Sequence, residues 1–113
     1  MNDEYSIIIT PDAEDELNAI DDYITFVLLA PETAVKYIQT MKEELSSLRY
    51  SPKRFRIVDD EPWHSRSIRR MNSKGFAVFY LIDDDYYEVY IQNIIYQKRD
   101  IQRIIREMDS NDK

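Results

Sequence analysis

The sequence predicts an α+β domain in which helices pack on one mostly antiparallel four-stranded sheet, in the order β-α-α-β-β-β with a short C-terminal helix. Apolar residues recur at helical spacing in the first half, whereas β-branched and aromatic runs dominate the second half. The chain has 113 residues, 43% of them hydrophobic, which is the size of one compact domain. We therefore expect residues 1–108 to form a single domain and residues 109–113 to form a polar tail.

The first half of the chain predicts one strand and a pair of helices. Residues 5–10 are rich in β-branched side chains, and Thr10 followed by Pro11 is typical of a helix N-terminus. Apolar spacing predicts the buried face of the first helix at Ala13, Leu17, Ile20, Ile24 and Val27. Pro31 begins a second helix, whose predicted buried face is Ala34, Tyr37, Ile38, Met41, Leu45 and Leu48. The short break between them predicts an antiparallel helical hairpin.

The second half predicts a loop, three strands and a helix. Residues 53–65 follow no regular pattern and indicate a loop, and the strands are expected at 66–71, 76–83 and 86–96. Gly75, the one glycine of the chain, falls in the turn at 72–75, where a positive φ is easiest. Residues 83–85 form the second turn, and apolar spacing from Lys98 to Met108 predicts the final helix.

Charge is divided unevenly along the chain. Residues 1–50 hold three basic and eleven acidic side chains, whereas residues 51–108 hold eleven basic and nine acidic ones. The net charge of −7 argues against a non-specific coat on nucleic acid, although a local basic patch can still hold phosphates or a carboxylate-rich partner. The alternative is a solvated basic face. The basic excess is densest at Lys53, Arg54, Arg56, Arg66, Arg69 and Arg70.

Composition excludes several classes of site. Without cysteine there is no disulfide, thiolate zinc site or cysteine nucleophile, and one glycine cannot form a glycine-rich phosphate loop. His64 is the single histidine and lies in a predicted loop, which favours a surface residue. The acidic runs at 59–61 and 83–85 favour turns rather than a cation site. Because cysteine, glycine and histidine are so scarce, we expect no metal or cofactor. No apolar run approaches the roughly 18 residues of a membrane span, and with the absence of cysteine this favours the cytoplasm.

The candidate functional residues lie on and beside the predicted sheet. Arg69 and Arg70 share a strand, so their side chains point to opposite faces. Lys98 and Arg99 follow the last strand. Arginine can hold a phosphodiester and stabilise its developing charge, and tyrosine can stack on a base or move a proton if its pKa is lowered. Alternatively, the arginines pair with the acidic half and the tyrosines pack in or around the core. The tyrosines of the predicted sheet are Tyr80, Tyr90 and Tyr96.

Several short segments occur in a characteristic order along the chain. They are TPDA at 10–13, APETA at 30–34, LSSL at 45–48, SP at 51–52, IRRM at 68–71, GFAVFY at 75–80 and IQNIIYQKRD at 91–100. Together with the order of elements, these segments resemble the RelE/ParE superfamily of toxins from type II toxin–antitoxin modules. The resemblance covers about residues 5–105. It implies a curved antiparallel sheet that carries the helical hairpin, and a toxin that a cognate antitoxin holds inactive.

This superfamily has two activities. RelE-like members cleave mRNA in the ribosomal A site without metal, and ParE-like members bind and poison DNA gyrase. The resemblance places Arg69 or Arg70 at a strand Arg or Lys, Arg99 at the basic residue after the last strand, and Tyr80 at the end of the central-strand motif. A nuclease would use as catalytic residues Arg69, Tyr80, Tyr96 and Arg99. In either case the expected binding residues are Arg69, Arg70, Lys98 and Arg99.

The chain departs from the nuclease pattern at two positions. Ala77 stands where many members have an arginine, and Tyr96 stands where several RNA-cleaving members have a histidine. RNA-cleaving members are also usually basic, whereas this chain carries −7. Because each lost group removes a phosphate contact or a proton carrier, gyrase poisoning is slightly favoured. A ribosome-dependent mRNA endonuclease and a non-toxic relative that only binds a partner are the alternatives.

Overall fold

The computed structural model describes residues 4–111, which form three α-helices packed on an open four-stranded sheet. The predicted α+β class and order of elements are confirmed. The strands are β1 (Ser6–Ile9), β2 (Arg69–Ser73), β3 (Phe76–Asp83) and β4 (Glu88–Tyr96), and the helices are α1 (Pro11–Asp22), α2 (Pro31–Ser46) and α3 (Lys98–Asn111).

The sheet is mixed, with the strand order β1-β4-β3-β2. Strands β2, β3 and β4 are antiparallel neighbours, and β1 pairs in parallel with β4. The register of β3 on β4 shifts between Phe79 and Tyr80, which pair with Asn93 and Ile91 and so skip Gln92. This β-bulge bends β4 locally, so that two adjacent residues of β4 lie opposite one residue of β3.

Thr10 joins the start of α1 to the sheet, as the sequence predicts for a helix cap. Its Oγ1 accepts a hydrogen bond from the Ala13 N–H at 3.4 Å and donates one to the Ile91 carbonyl at 2.7 Å. Asp12 and Glu14 lie in the first turn of α1, where negative charge is favourable. The cap therefore fixes where the hairpin leaves the sheet.

The expectation that Val27 is buried is wrong. The helix α1 ends at Asp22, and a π-helical turn follows over Tyr23–Val27. In this turn the Leu28 N–H donates a hydrogen bond to the Tyr23 carbonyl at 3.0 Å. The wider turn breaks the 3.6-residue periodicity that the prediction assumed. Tyr23 and Ile24 stay buried, whereas Val27 is 64% exposed.

The bounds of two predicted strands change. Strand β2 begins at Arg69 instead of residue 66, because residues 61–67 fold into turns and Ser67 has a φ of 59°. Strand β4 begins at Glu88, because Tyr87 has a φ of 54°. The turn expected at 72–75 narrows to Lys74 and Gly75, and the φ of Gly75 is 91°.

The predicted polar tail begins inside α3, because the helix runs to Asn111 rather than ending at Met108. The Asp109 carboxylate accepts a hydrogen bond from the buried Thr33 hydroxyl in the first turn of α2. That contact extends the folded unit past residue 108, and residues 112–113 of the expected tail lie outside the described residues.

One apolar core joins the hairpin, the sheet and α3. The predicted buried face of α2 is confirmed, although Ile38 is only partly buried. Core residues that are essentially inaccessible include Ile20, Ile24, Met41, Leu45, Leu48, Met71, Val78, Tyr80, Ile91 and Ile101.

None of the helices described within residues 4–111 has the length and hydrophobicity of a membrane-spanning segment.

Candidate functional site

Alternation along β2 separates the two predicted arginines. Met71 is buried against the helices, and Arg69 lies on the same side of the strand, whereas Arg70 and Asn72 are exposed on the opposite side. Phe79 pairs with Arg70 across the β2–β3 ladder and therefore shares that outward side. This outward side is called the open face below.

Arg69 fastens a loop to the sheet. Its Nη1 donates hydrogen bonds to the backbone carbonyls of Phe55 at 2.6 Å and Lys53 at 3.2 Å, and its backbone bridges to Ile57. The side chain is half-buried rather than part of an exposed rim. These contacts give Arg69 a structural role that its position in the sequence does not reveal.

Tyr80 lies beside Arg69 across the ladder and is fully buried. Its hydroxyl donates to the Pro52 carbonyl at 2.6 Å. Burial raises the pKa of Tyr80 to about 12, against the smaller lowering effects of Arg69 and Arg54. A phenol that exchanges a proton near neutral pH needs the opposite shift, so this environment suits a core residue.

A groove of about 400 Å³ lies on the open face and is called the open-face groove. The Arg70 guanidinium lies 5.3 Å from the centroid of the Phe79 ring and its Nε donates to Asn72 Oδ1 at 2.8 Å. The loop before β2 supplies Trp63 and Arg66 as the facing wall. The other lining residues are Val58, Asp60, Ile68, Gln92, Asn93 and Ile95.

The open-face groove combines two arginines with apolar and aromatic surface. Trp63 is 47% exposed and Ile95 48% exposed, so both are available to a bound molecule. An aromatic or aliphatic anchor beside arginine is the usual composition of a protein-binding hot spot, and it also suits a stacked base. The sequence places Arg66 in the basic excess but gives no signal that Trp63 would stand opposite Arg70.

Arg70 also lines a second groove of about 440 Å³, together with Tyr96 and Arg103. Arg103 forms ion pairs with the carboxylates of Asp100, at 3.5 Å, and Glu107, at 3.9 Å. Arg70 and Tyr96 are thus the two predicted site residues that the fold brings to one groove.

The basic residues after β4 lie elsewhere. Lys98 Nζ is 5.4 Å from the centroid of the Tyr23 ring, which belongs to the hairpin. Arg99 is exposed, and its side chain makes no hydrogen bond or ion pair with residues 4–111. Neither side chain lines the two grooves. The four residues expected for catalysis are therefore not gathered around one point.

His64 and the acidic runs hold turns. His64 Nδ1 lies 2.9 Å from the Val58 carbonyl, inside the loop that forms the groove wall. Asp83 accepts hydrogen bonds from the backbone of its own turn, and the Tyr5 hydroxyl bonded to Asp84 is the main cause that holds the pKa of that carboxyl below its usual range. Over the described range, 4–111, no three His, Asp or Glu side chains are placed to hold a metal ion.

Comparison with solved structures finds the same fold in two toxin–antitoxin systems. The chromosomal ParDE system of P. aeruginosa matches with a TM-score of 0.66 and 24% identity, over 83% of this chain and 97% of that chain. The RelBE2 toxin–antitoxin complex of Mycobacterium tuberculosis matches with a TM-score of 0.59 and 17% identity, over 83% and 92%. No curated protein matches the sequence significantly.

A family match covers most of the chain. Residues 7–101 match the family described as the ParE toxin of the type II toxin–antitoxin system parDE. That range runs from β1 into the first turn of α3 and includes the strands that line both grooves. The chain therefore belongs to the ParE toxin family, within the RelE/ParE superfamily of type II toxin–antitoxin modules.

Proposed function

We propose that this toxin acts in the cytoplasm, is neutralised by a cognate antitoxin, and stops growth by binding DNA gyrase instead of cutting mRNA. Family membership supports the toxin role. The observation that carries the choice of target is the scattering of the expected catalytic residues. Arg69 and Tyr80 serve the core, Tyr96 lines a groove that does not include the other three residues, and Arg99 stands apart.

Metal-free RNA cleavage needs a base for the 2′-hydroxyl and a cation for the phosphate within reach of one another. Tyr80 is poorly suited to the first role because its hydroxyl is bonded to Pro52 and its pKa is raised to about 12. The open face has Ala77 where a strand arginine would approach the phosphate. This arrangement supports binding without chemistry.

The open-face groove fits an antitoxin segment that is acidic and amphipathic. Arg66 and Arg70 match carboxylates, and Trp63, Phe79 and Ile95 match apolar side chains of the same segment. We expect a stable heteromer that buries on the order of 1,200–2,000 Å² or more. Such a segment would be encoded by a small gene next to this one.

A ribosome-dependent endonuclease is the second candidate. It is supported by the shared groove of Arg70 and Tyr96, where a phosphate contact and a phenol occur together. In this case Tyr96 would be the proton carrier, and cleavage would be confined to mRNA on the ribosome.

The two candidates are separated by inducing the toxin in a bacterial host and following mRNA and gyrase in parallel. We expect growth arrest that the antitoxin reverses, loss of supercoiling by purified gyrase, and intact mRNA in primer extension. Tyr96→Phe is the matched control, because it removes only the hydroxyl and should leave the arrest unchanged.

Codon-positioned cuts that disappear in Tyr96→Phe would contradict gyrase poisoning and support the endonuclease. Strong expression without arrest, supercoiling loss or cleavage would instead identify a non-toxic relative that only binds its partner.

A further inference from the structure

The negative charge of the chain is concentrated in the helical hairpin. Residues 11–35 contain seven acidic side chains and no lysine or arginine, which equals the net charge of −7 of the whole chain. The remaining residues hold 22 − 7 = 15 acidic and 15 basic side chains and are balanced. A surface with this density of one charge attracts an oppositely charged partner.

Within residues 4–111, ion pairs do not neutralise these carboxylates. None of the seven forms an ion pair within residues 4–111; Glu16 accepts from the Ile94 N–H at 2.8 Å and Asp21 from the Thr25 hydroxyl at 3.3 Å. Asp21 and Asp22 lie at the C-terminal end of α1, where the helix dipole disfavours negative charge and no basic residue compensates it. Helix stability therefore does not explain the presence of Asp21 and Asp22.

Apolar side chains stand exposed at the tip between these carboxylates. Phe26, Val27 and Leu29 are 71%, 64% and 78% exposed. Leu29 also has a φ of 56°, a left-handed conformation that leucine rarely adopts and that tends to occur at functional positions. We call these three residues with Asp21, Asp22 and Glu32 the hairpin tip.

The hairpin tip continues into a groove along the outer side of α2. This groove of about 710 Å³ starts with Asp21 and Val35 and ends at Tyr50, and Val35 and Tyr50 are 67% and 69% exposed. The lining positions on α2 span three helical turns, roughly 16 Å at 1.5 Å per residue. A partner that receives the tip can therefore extend along the hairpin.

We propose that the hairpin tip docks into an apolar pocket rimmed by lysine and arginine on the toxin's target. The inference rests on the proposed function, because an enzyme that holds DNA, such as gyrase, presents lysine and arginine to the phosphates. The opposite charges of the hairpin tip and the open face favour different partners. An acidic antitoxin segment is attracted to Arg66 and Arg70 on the open face and repelled by the hairpin tip.

The test measures binding of the purified toxin to gyrase holoenzyme and, separately, to its antitoxin. One variant removes the apolar contact (Phe26→Ser with Val27→Ser), and a second removes charge (Asp21→Asn, Asp22→Asn and Glu32→Gln). Tyr86→Ser is the matched control, since Tyr86 is 76% exposed on the β3–β4 turn. Circular dichroism and urea denaturation establish that each variant is folded.

Both tip variants should bind gyrase at least about tenfold more weakly and keep antitoxin affinity within about twofold, as expected for a hot spot outside the antitoxin site. The charge variant should also lose most of the salt dependence of gyrase binding. The control should bind both partners like the wild type.

Three results would overturn the inference and are distinguishable. Wild-type gyrase binding in both tip variants would overturn the docking site and leave the proposed function intact. Loss of antitoxin binding with gyrase binding retained would reassign the hairpin tip to the antitoxin. Absence of gyrase binding by the wild type would overturn the proposed function. It would also overturn gyrase as the partner of the hairpin tip.

Discussion

The helical hairpin and the open face of the sheet expose opposite chemistry. Around Phe26, Val27 and Leu29 the hairpin presents carboxylates that form no ion pair within residues 4–111, whereas the open face presents Arg66 and Arg70 around aromatic rings. Both surfaces leave apolar side chains accessible, and a folded monomer gains nothing from that exposure. This difference in charge is the basis on which we propose two docking surfaces for different partners on one small domain.

The two regions also differ in how polar groups are used inside the fold. In the sheet region Arg69 and Tyr80 hold the segment that follows α2 through bonds to Phe55 and Pro52 carbonyls. In the hairpin, the Tyr37 hydroxyl holds the turn between β2 and β3 by donating a hydrogen bond to the Lys74 carbonyl at 2.9 Å. Substitutions at these contacts should therefore change stability, while substitutions on the two exposed surfaces should change binding.

The largest effect is expected where the hairpin meets the sheet. Gly75 has a φ of 91°, and an added Cβ would lie 2.6 Å from both Ile104 Cδ1 and Tyr37 Oη. Gly75→Ala should lower the free energy of unfolding by about 2–4 kcal/mol, because strain and overpacking act together. Urea denaturation measures it, with Lys74→Ala as the neighbouring control. Equal stability of Gly75→Ala and wild type would contradict the close approach of the two regions.

The next effect concerns Tyr80. Tyr80→Phe keeps the ring in the core but leaves the Pro52 carbonyl without its donor, so the free energy of unfolding should fall by about 1–3 kcal/mol. Toxicity should persist at temperatures where the variant stays folded. A variant that is stable but non-toxic would mean that the Tyr80 hydroxyl has a functional role after all.

Tyr80 also predicts a dependence on alkaline pH. Burial raises the pKa of Tyr80 from 10.0 to about 12 in the folded protein, so its neutral form is favoured by folding. This contribution is complete below pH 10 and is lost as the pH rises from about 10 to about 12. Stability measured between pH 9 and 12 should fall less steeply in Tyr80→Phe than in the wild type; parallel curves would contradict the shift.

Arg69 and Arg70 form a matched pair for separating structure from binding. Arg69→Ala removes the bonds to Lys53 and Phe55 and should cost about 1–2 kcal/mol of stability. Arg70→Ala should change stability by less than about 0.5 kcal/mol, since Arg70 is exposed, yet weaken antitoxin binding. Chemical denaturation and calorimetric titration measure the two effects. If both variants behave alike, the assignment of the two faces of β2 is wrong.

The smallest effect should have the opposite sign. Asp21→Asn with Asp22→Asn removes two charges from the C-terminal end of α1 and should stabilise the protein by about 0.3–1 kcal/mol at low salt. The gain should fade in high salt, where the repulsion is screened. Asp12→Asn with Glu14→Gln, at the other end of the same helix, is the control and should destabilise it. A stability loss in the first variant would show that these carboxylates serve the fold.

Much of the architecture follows from local sequence. Proline begins both hairpin helices and Thr10 caps the first, apolar periodicity identifies their buried faces, and apolar runs identify β3 and β4. These signals are local because hydrogen bonding within a helix and alternation along a strand depend on neighbours in the chain. The same signals fail at Val27, where a π-helical turn changes the period, and at Asp109, where a contact with Thr33 adds to the helix.

The candidate site was decided by tertiary structure. The sequence places arginines side by side at 69 and 70, and alternation along a strand predicts that their side chains point to opposite faces. Only the fold shows that Arg69 is held by two loop carbonyls and that Arg70 lines a groove. Trp63 reaches that groove because the loop before β2 folds across the sheet. The charge of the hairpin was fixed by composition. That the carboxylates of residues 11–35 form no ion pair within residues 4–111 was decided by packing, since ion pairs depend on distances between residues far apart in the chain.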